Sequence, residues 1–189
     1  MKFSQVARLA MFAATLLLGA AGVATTADAR KEFTVHGGVG DISNASVCPT
    51  GHFIVGFRGR TGLWIDQIRI RCAPLLNGGG VGDSKAMSGV GGSGGGDAKA
   101  KCIPGHVVNG INFFTTDQNR QVELITFTCM NPDDRSMAGG YEMYGNTAGV
   151  RFNHYKQTCP DGEAAVGLNH RWGDHVNAIG LICDVLRRP

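Results

Sequence analysis

Three copies of one cysteine-bounded pattern constrain the fold of this chain more than any other feature. Each copy opens with a cysteine followed within three residues by glycine, continues through an apolar run, and closes with a second cysteine. Six cysteines allow several disulfide pairings, but the repeat favours pairing within each copy. The predicted disulfides are Cys48 with Cys72, Cys102 with Cys129, and Cys159 with Cys183.

Within each copy the apolar residues have the period of a β-strand. Ile68, Ile70 and Cys72 alternate with Arg69 and Arg71, which places one set of side chains on each face of a sheet. Helical periodicity is absent after the leader, and the chain's 29 glycines cluster between the apolar runs, where they mark tight turns. We therefore predict an all-β fold with about four short strands in each copy.

A single four-stranded sheet cannot bury its apolar face alone, so the three copies must share a core. Packing three similar sheets around one axis buries all three apolar faces and gives pseudo-threefold symmetry. The sequence predicts one domain over residues 30–189, made of repeats at about 30–76, 77–132 and 133–189.

Residues 1–29 have the features of a secretory signal peptide. Lys2 and Arg8 precede an apolar run over residues 9–24, and Ala27-Asp28-Ala29 is a typical cleavage sequence. A membrane-spanning anchor is the alternative, but the run is short for a span. We expect an exported protein, periplasmic or extracellular, with no membrane insertion.

The charge pattern and the cysteines argue against several classes of function. The chain has 18 Lys and Arg against 15 Asp and Glu, mixed along its length, so no nucleic-acid partner is predicted. The cysteines are assigned to disulfides and the histidines are dispersed, which leaves no metal site, no cofactor site and no catalytic cluster. We therefore predict that the protein is not an enzyme.

A segment of the first copy resembles the jacalin-related lectins. The segment runs from Val55 to Ile68 and contains Gly62-Leu63-Trp64-Ile65-Asp66, which is similar to the Gly-x-x-x-Asp loop of that family. The resemblance implies a β-prism I fold of three four-stranded Greek-key sheets. It also implies a metal-independent sugar site in which that loop works with a Gly-Gly loop of the same sheet. The residues assigned to this site are Gly37, Gly38, Gly62, Leu63, Trp64 and Asp66.

The other two copies keep weaker versions of this loop. Gly173 and Asn177 are the equivalent residues of copy three, and Asn119 and Glu123 those of copy two, in which the loop is longer. These four residues are assigned to possible degenerate sites. The glycine-rich segments at 91–95 and at Gly139-Gly140 would be their partner loops.

An aspartate in such a loop suits sugar recognition, because an ionised carboxylate can accept hydrogen bonds from two adjacent hydroxyl groups. The alternative is that Asp66 only caps its own backbone. The predicted partner is a glycan or polysaccharide carrying a hexose. The cysteine-bounded repeat, especially residues 173–183, is also similar to vitelline membrane outer layer protein, another three-sheet prism. That similarity implies a second possible function, a non-catalytic structural coat or envelope protein.

Overall fold

The computed structural model describes residues 30–116, 118–138, 142–146 and 153–188. The predicted signal peptide and Gly139-Gly140 lie outside these residues. The described part of the chain is built from β-strands and turns, and no helix in it is long and apolar enough to cross a membrane. The all-β prediction is confirmed.

The strands form three antiparallel sheets, each built on one long hairpin. The hairpins are β4 (His52–Thr61) with β5 (Ile65–Pro74) in sheet 1, β9 (Val107–Thr115) with β10 (Val122–Met130) in sheet 2, and β13 (Glu163–Trp172) with β14 (Val176–Val185) in sheet 3.

Two edges complete each sheet. Beside the second hairpin strand lie β6 (Lys85–Ala86) and β7 (Val90–Gly91) in sheet 1, β11 (Glu142–Gly145) in sheet 2, and β1 (Lys31–Glu32) and β2 (His36–Gly37) in sheet 3. Beside the first hairpin strand lie β8 (Gly96–Lys101) in sheet 1, β12 (Asn153–Thr158) in sheet 2, and β3 (Ile42–Val47) in sheet 3.

β1 and β2 both pair with β14, and β6 and β7 both pair with β5, so each of these pairs acts as one interrupted edge strand. Every sheet therefore has four strand positions, in Greek-key order. The predicted prism of three such sheets is confirmed.

The sheets do not follow the repeat boundaries. Each strand that leads into an opening cysteine pairs with the hairpin of the preceding copy: β8 with β4, β12 with β9, and β3 with β13. The strands were predicted correctly, but the assumption that the four strands of one copy form one sheet was wrong. The physical reason is that a strand's alternating pattern sets which face is buried, whereas it does not set which edge the strand joins.

A β-bulge occurs at the same position of each hairpin, where the strand from the next copy joins the sheet. The hairpin register shifts at Val55, Asn109 and Val166, the same position in each copy. At each bulge the backbone carbonyl accepts a hydrogen bond from the opening cysteine of the next copy. The donor–acceptor distances are 2.9 Å for Cys102 to Val55, 2.8 Å for Cys159 to Asn109 and 2.7 Å for Cys48 to Val166.

The three predicted disulfides are all formed, with Cα–Cα separations of 5.6–5.7 Å, which is the usual spacing. Each bond joins a cysteine four or five residues before a hairpin to a cysteine near the end of that hairpin's second strand. The main core lies between the sheets and takes buried residues from all three, including Phe57, Ile111 and Leu168 at one repeat position. Phe57 and Phe127 meet edge to face across sheets 1 and 2, with ring centroids 5.0 Å apart.

One histidine lies inside this apolar structure. His170 is buried at 2 % exposure in β13, on the same strand face as Leu168, and its Nε2 lies 2.9 Å from Ser46 Oγ. Burial disfavours the imidazolium, and this desolvation lowers the pKa of His170.

We expect His170 to make the protein less stable in mild acid. Because its folded-state pKa lies below the unfolded value, the unfolded chain binds more protons as the pH falls through about 6.5. The resulting loss of unfolding free energy is at most about 1.4 kcal/mol per pH unit from this group. His170→Gln cannot titrate, so urea unfolding between about pH 8 and pH 5.5 should show a smaller loss in that variant. Equal losses in wild type and variant would contradict this assignment.

Candidate functional site

Asp66 is the second residue of β5, close to the three-residue hairpin loop of sheet 1. The residue is 5 % exposed. Its Oδ1 lies 3.2 Å from Nδ1 of His175, which belongs to the corresponding loop of sheet 3. Its Oδ2 is also buried and has no hydrogen-bond partner among the described residues. A buried carboxylate oxygen without a donor is unfavourable, so Asp66 is a group that a hydroxyl donor would stabilise.

The glycine-rich turn at 91–95 covers this carboxylate. The Gly92 backbone N–H donates to the Asp66 carbonyl oxygen at 2.8 Å. A Cβ on Gly94 would lie 2.6 Å from Asp66 Oδ1, and Gly95 has a φ of 62° and lies against Oδ2. Only glycine fits at these two places, because any side chain would displace the carboxylate.

Arg60 holds the turn in place. Its Nε donates to the Gly94 carbonyl oxygen at 2.6 Å, a second guanidinium nitrogen donates to the Gly95 carbonyl, and it pairs with Asp97 at 3.4 Å. Arg60 thus holds Gly94 and Gly95 through their carbonyl oxygens, and Gln67 Nε2 donates to the Gly92 carbonyl at 3.4 Å.

Gly62 also borders Oδ2 of Asp66. A Cβ built on Gly62 would lie 3.4 Å from Asp66 Oδ2 and 3.6 Å from the Gly95 Cα, both ordinary contact distances. A methyl group on Gly62 would therefore contact both Oδ2 and Gly95 without a clash.

Aromatic and apolar side chains flank the carboxylate. The Trp64 and His175 rings meet at 62° with centroids 4.8 Å apart, and Leu63 is 70 % exposed at the loop tip. Tyr144 of sheet 2 donates to the Gln67 carbonyl at 2.6 Å. Burial, and secondarily the Asp66 charge, raises the pKa of Tyr144, so this hydroxyl stays a donor.

The structure separates two predicted site residues from Asp66. Gly37 lies in β2, opposite Ala178, and the Gly38 N–H donates to the Asn177 carbonyl at 2.9 Å. Gly37 and Gly38 therefore adjoin the loop of copy three, and the prediction that they share a sheet with Asp66 was wrong. The reason is that each sheet takes edge strands from the copy that follows its hairpin. The strands on either side of the turn at 91–95, β7 and β8, therefore belong to sheet 1.

The equivalent loops of the other copies differ in chemistry. In copy two, Asn119 adopts a φ of 54° and its Oδ1 accepts from Thr115 at 2.7 Å and Tyr155 at 3.2 Å. Glu123 is largely buried. In copy three, Gly173 begins the loop, and Asn177 donates to the Arg120 carbonyl at 3.2 Å. Of the three equivalent positions, two therefore carry a carboxylate, Asp66 and Glu123, and the third carries the amide of Asn177.

The three loops form a closed ring at one end of the prism, with each loop touching the edge of a neighbouring sheet at the same repeat position. Asn146 donates to the Leu63 carbonyl at 3.2 Å, Gly92 lies against the Asp174 carbonyl, and Gly38 lies against the Arg120 carbonyl. Within the described residues, no group of three His, Cys, Asp or Glu side chains is suited to hold a metal ion at this ring or elsewhere. The ring carries hydrogen-bonding groups and the carboxylates of Asp66, Glu123 and Asp174, of which Asp174 is exposed.

Comparison with protein families gives one match, to the model for vitelline membrane outer layer protein I, over residues 29–180. The chain belongs to the vitelline membrane outer layer protein I family. No curated protein sequence matches this family member significantly.

Several lectins of known structure have a similar fold. Banana lectin has a TM-score of 0.59 at 16 % identity, covering 83 % of this chain and 99 % of its own. A mannose-binding jacalin-related lectin from Ananas comosus has a TM-score of 0.58 at 17 % identity, with coverage of 82 % and 98 %. The mannose-binding lectin from champedak has a TM-score of 0.57 at 17 % identity, with coverage of 84 % and 99 %. At these identities the likeness establishes the shared β-prism fold.

Sequence reasoning missed three parts of the structure around Asp66 in this member of the vitelline membrane outer layer protein I family: the turn at 91–95, His175 and Arg60. The turn at 91–95 was assigned to copy two, and neither His175 nor Arg60 was recognised. The glycine cluster was a usable signal, since it lies between the closing cysteine of copy one and the opening cysteine of copy two. His175 gave no such signal, because its contact with Asp66 spans 109 positions and depends on how two sheets meet.

Proposed function

We propose that this protein binds carbohydrate, without a metal, at the ring end of the prism. Asp66 is the recognition group, and Gly62, Leu63, Trp64, Gly94 and Gly95 surround the bound sugar. The ligand is a hexose of a glycan or polysaccharide outside the reducing cytosol, where the three disulfides are expected to persist.

The observation that carries this proposal is the buried, unpartnered Oδ2 of Asp66. A sugar hydroxyl entering between Gly62 and Gly95 would donate to it, and charge-assisted hydrogen bonds of this kind are about twice as strong as neutral ones. Entry requires the turn at 93–95 to move outward from the carboxylate. Support also comes from fold relatives described as mannose-binding lectins.

Two substitutions test the proposal by separate routes. Asp66→Asn removes the charge but keeps the shape, and copy three already has asparagine at this position. We expect it to weaken hexose binding by about ten- to a hundredfold. Gly62→Ala adds one methyl group at normal contact distance from Oδ2 and should abolish binding while leaving the melting temperature nearly unchanged. A glycan array followed by calorimetric titration with the best hexose measures both effects.

Asp161→Asn is the matched control, since it makes the same change in an exposed turn beside Cys159, away from the loop ring. It should bind like the wild type. Hexose binding that survives both Asp66→Asn and Gly62→Ala would remove this site from the proposal.

A structural coat protein is the second candidate, favoured by the description of the matching family as an outer-layer protein of the vitelline membrane. In that case the sealed ring would stabilise the prism and Asp66 would serve only to anchor the turn. A glycan array without any bound sugar, together with recovery of the protein in an insoluble layer, would favour this function over sugar binding.

A further inference from the structure

The outer face of sheet 1 carries a row of positive charges across three adjacent strands. Arg58 in β4 is directly opposite Arg69 in β5 on one side and Lys99 in β8 on the other. All three side chains are exposed. Neighbouring strands lie about 4.8 Å apart, so the row presents one cation per strand at that interval.

A second row extends this charged surface. Arg71 and Lys101 flank Gly56, which has no side chain. A depression of about 390 Å³ lies here, lined by Arg71, Lys99, Ala100 and Lys101. We call Arg58, Arg69, Arg71, Lys99 and Lys101 the sheet 1 basic face.

Within the part of the chain that the structure describes, these cations form no ion pair with an acidic side chain. Arg69 contacts the Gln67 amide oxygen at 3.1 Å, and Arg71 contacts Ser84 Oγ at 2.8 Å, both neutral acceptors. Asp97 is the one carboxylate on the outward positions of β4, β5 and β8, and it pairs with Arg60. The basic face thus has a local positive charge that the near-neutral balance of the whole chain does not suggest.

The fold does not require this charge, as the other two sheets demonstrate. The row equivalent to Arg69, Arg58 and Lys99 has a single cation in sheet 2 and none in sheet 3. Those rows are Thr126, Asn112 and Lys156 in sheet 2, and Gly180, Asn169 and Ala45 in sheet 3.

We propose that the sheet 1 basic face binds an acidic polysaccharide, a chain bearing carboxylate or sulfate groups at regular intervals. An extended polyanion lying across the strands meets one cation on each, and the depression beside Gly56 receives one of its acidic groups between Arg71 and Lys101. The outward positions of β4, β5 and β8 carry no aromatic side chain on which bases could stack, which favours a polysaccharide over single-stranded nucleic acid.

The test measures binding to polygalacturonate, dextran sulfate and neutral dextran. The wild type should bind one or both acidic polymers, more weakly as salt is added, and should not bind neutral dextran there. The triple variant Arg58→Asn, Arg69→Thr, Lys99→Ala introduces residues found at the equivalent positions of the other sheets. It should fold normally and bind about tenfold more weakly.

The matched control removes the same charge from other exposed cations: Lys31→Gln, Arg135→Gln and Lys156→Gln. It should retain wild-type affinity. Gly62→Ala should also leave acidic-polymer binding unchanged, which separates a failure of this inference from a failure of the Asp66 site. Equal losses in both triple variants, no binding to either acidic polymer, or binding only to a single-stranded oligonucleotide would overturn the proposal.

Discussion

Phe57→Ala is expected to lower the free energy of unfolding by about 4 kcal/mol. Phe57 is fully buried, packs edge to face on Phe127 and contacts Tyr144, so it joins sheet 1 to sheet 2 at the centre of the core. Truncation removes a large apolar surface from the core and leaves a cavity that three disulfide-anchored sheets cannot easily close. Urea unfolding followed by intrinsic fluorescence measures the change.

Phe57→Leu is the control for this prediction, because copy three has Leu168 at the same repeat position. It should cost only about 1 kcal/mol, since most of the volume is retained. If the alanine and leucine variants were equally stable, the sheet interface would not depend on this ring.

Removing any one disulfide, with both cysteines changed to alanine, is expected to cost about 3.5 kcal/mol. The reason is loop-closure entropy in the unfolded chain, which depends on the number of residues between the cysteines. The separations are 24, 27 and 24 residues, so the three double variants should be destabilised almost equally. Thermal unfolding of the three variants under identical conditions gives the comparison.

A clear inequality among the three would show that packing around the bonds contributes more than chain entropy. A loss below about 1 kcal/mol for Cys102→Ala with Cys129→Ala would contradict the entropic estimate for that bond.

The sequence predicted the elements of the fold better than their connections. The disulfides were correct because repetition restricts the choice of partner. The strands were correct because Ile68, Ile70 and Cys72 alternate clearly with polar residues. The edge pairing of β3 was not predictable in this way, because its alternation fits an edge in either sheet 1 or sheet 3 equally well.

The candidate site was predicted in part for the same reason. The loop from Gly62 to Asp66 is local, so its motif could be read directly. The burial of Asp66 results from contacts with His175 and with the turn at 91–95, which other segments bring to it. Such contacts depend on how the three sheets are arranged around the axis, and no periodicity in one segment encodes that arrangement.

The exchange of strands between copies also determines when the protein can finish folding. Sheet 3 joins the first strands of the described chain to the last two, and the bond from Asn169 to Glu32 links residues 137 positions apart. While the chain is still emerging from a ribosome or a translocation channel, β13 and β14 are absent. β3 then has no strand with which to pair, because its partner in sheet 3 is β13. Completion of the prism is therefore expected to follow the emergence of β13 and β14, and contacts so distant in sequence predict slow folding.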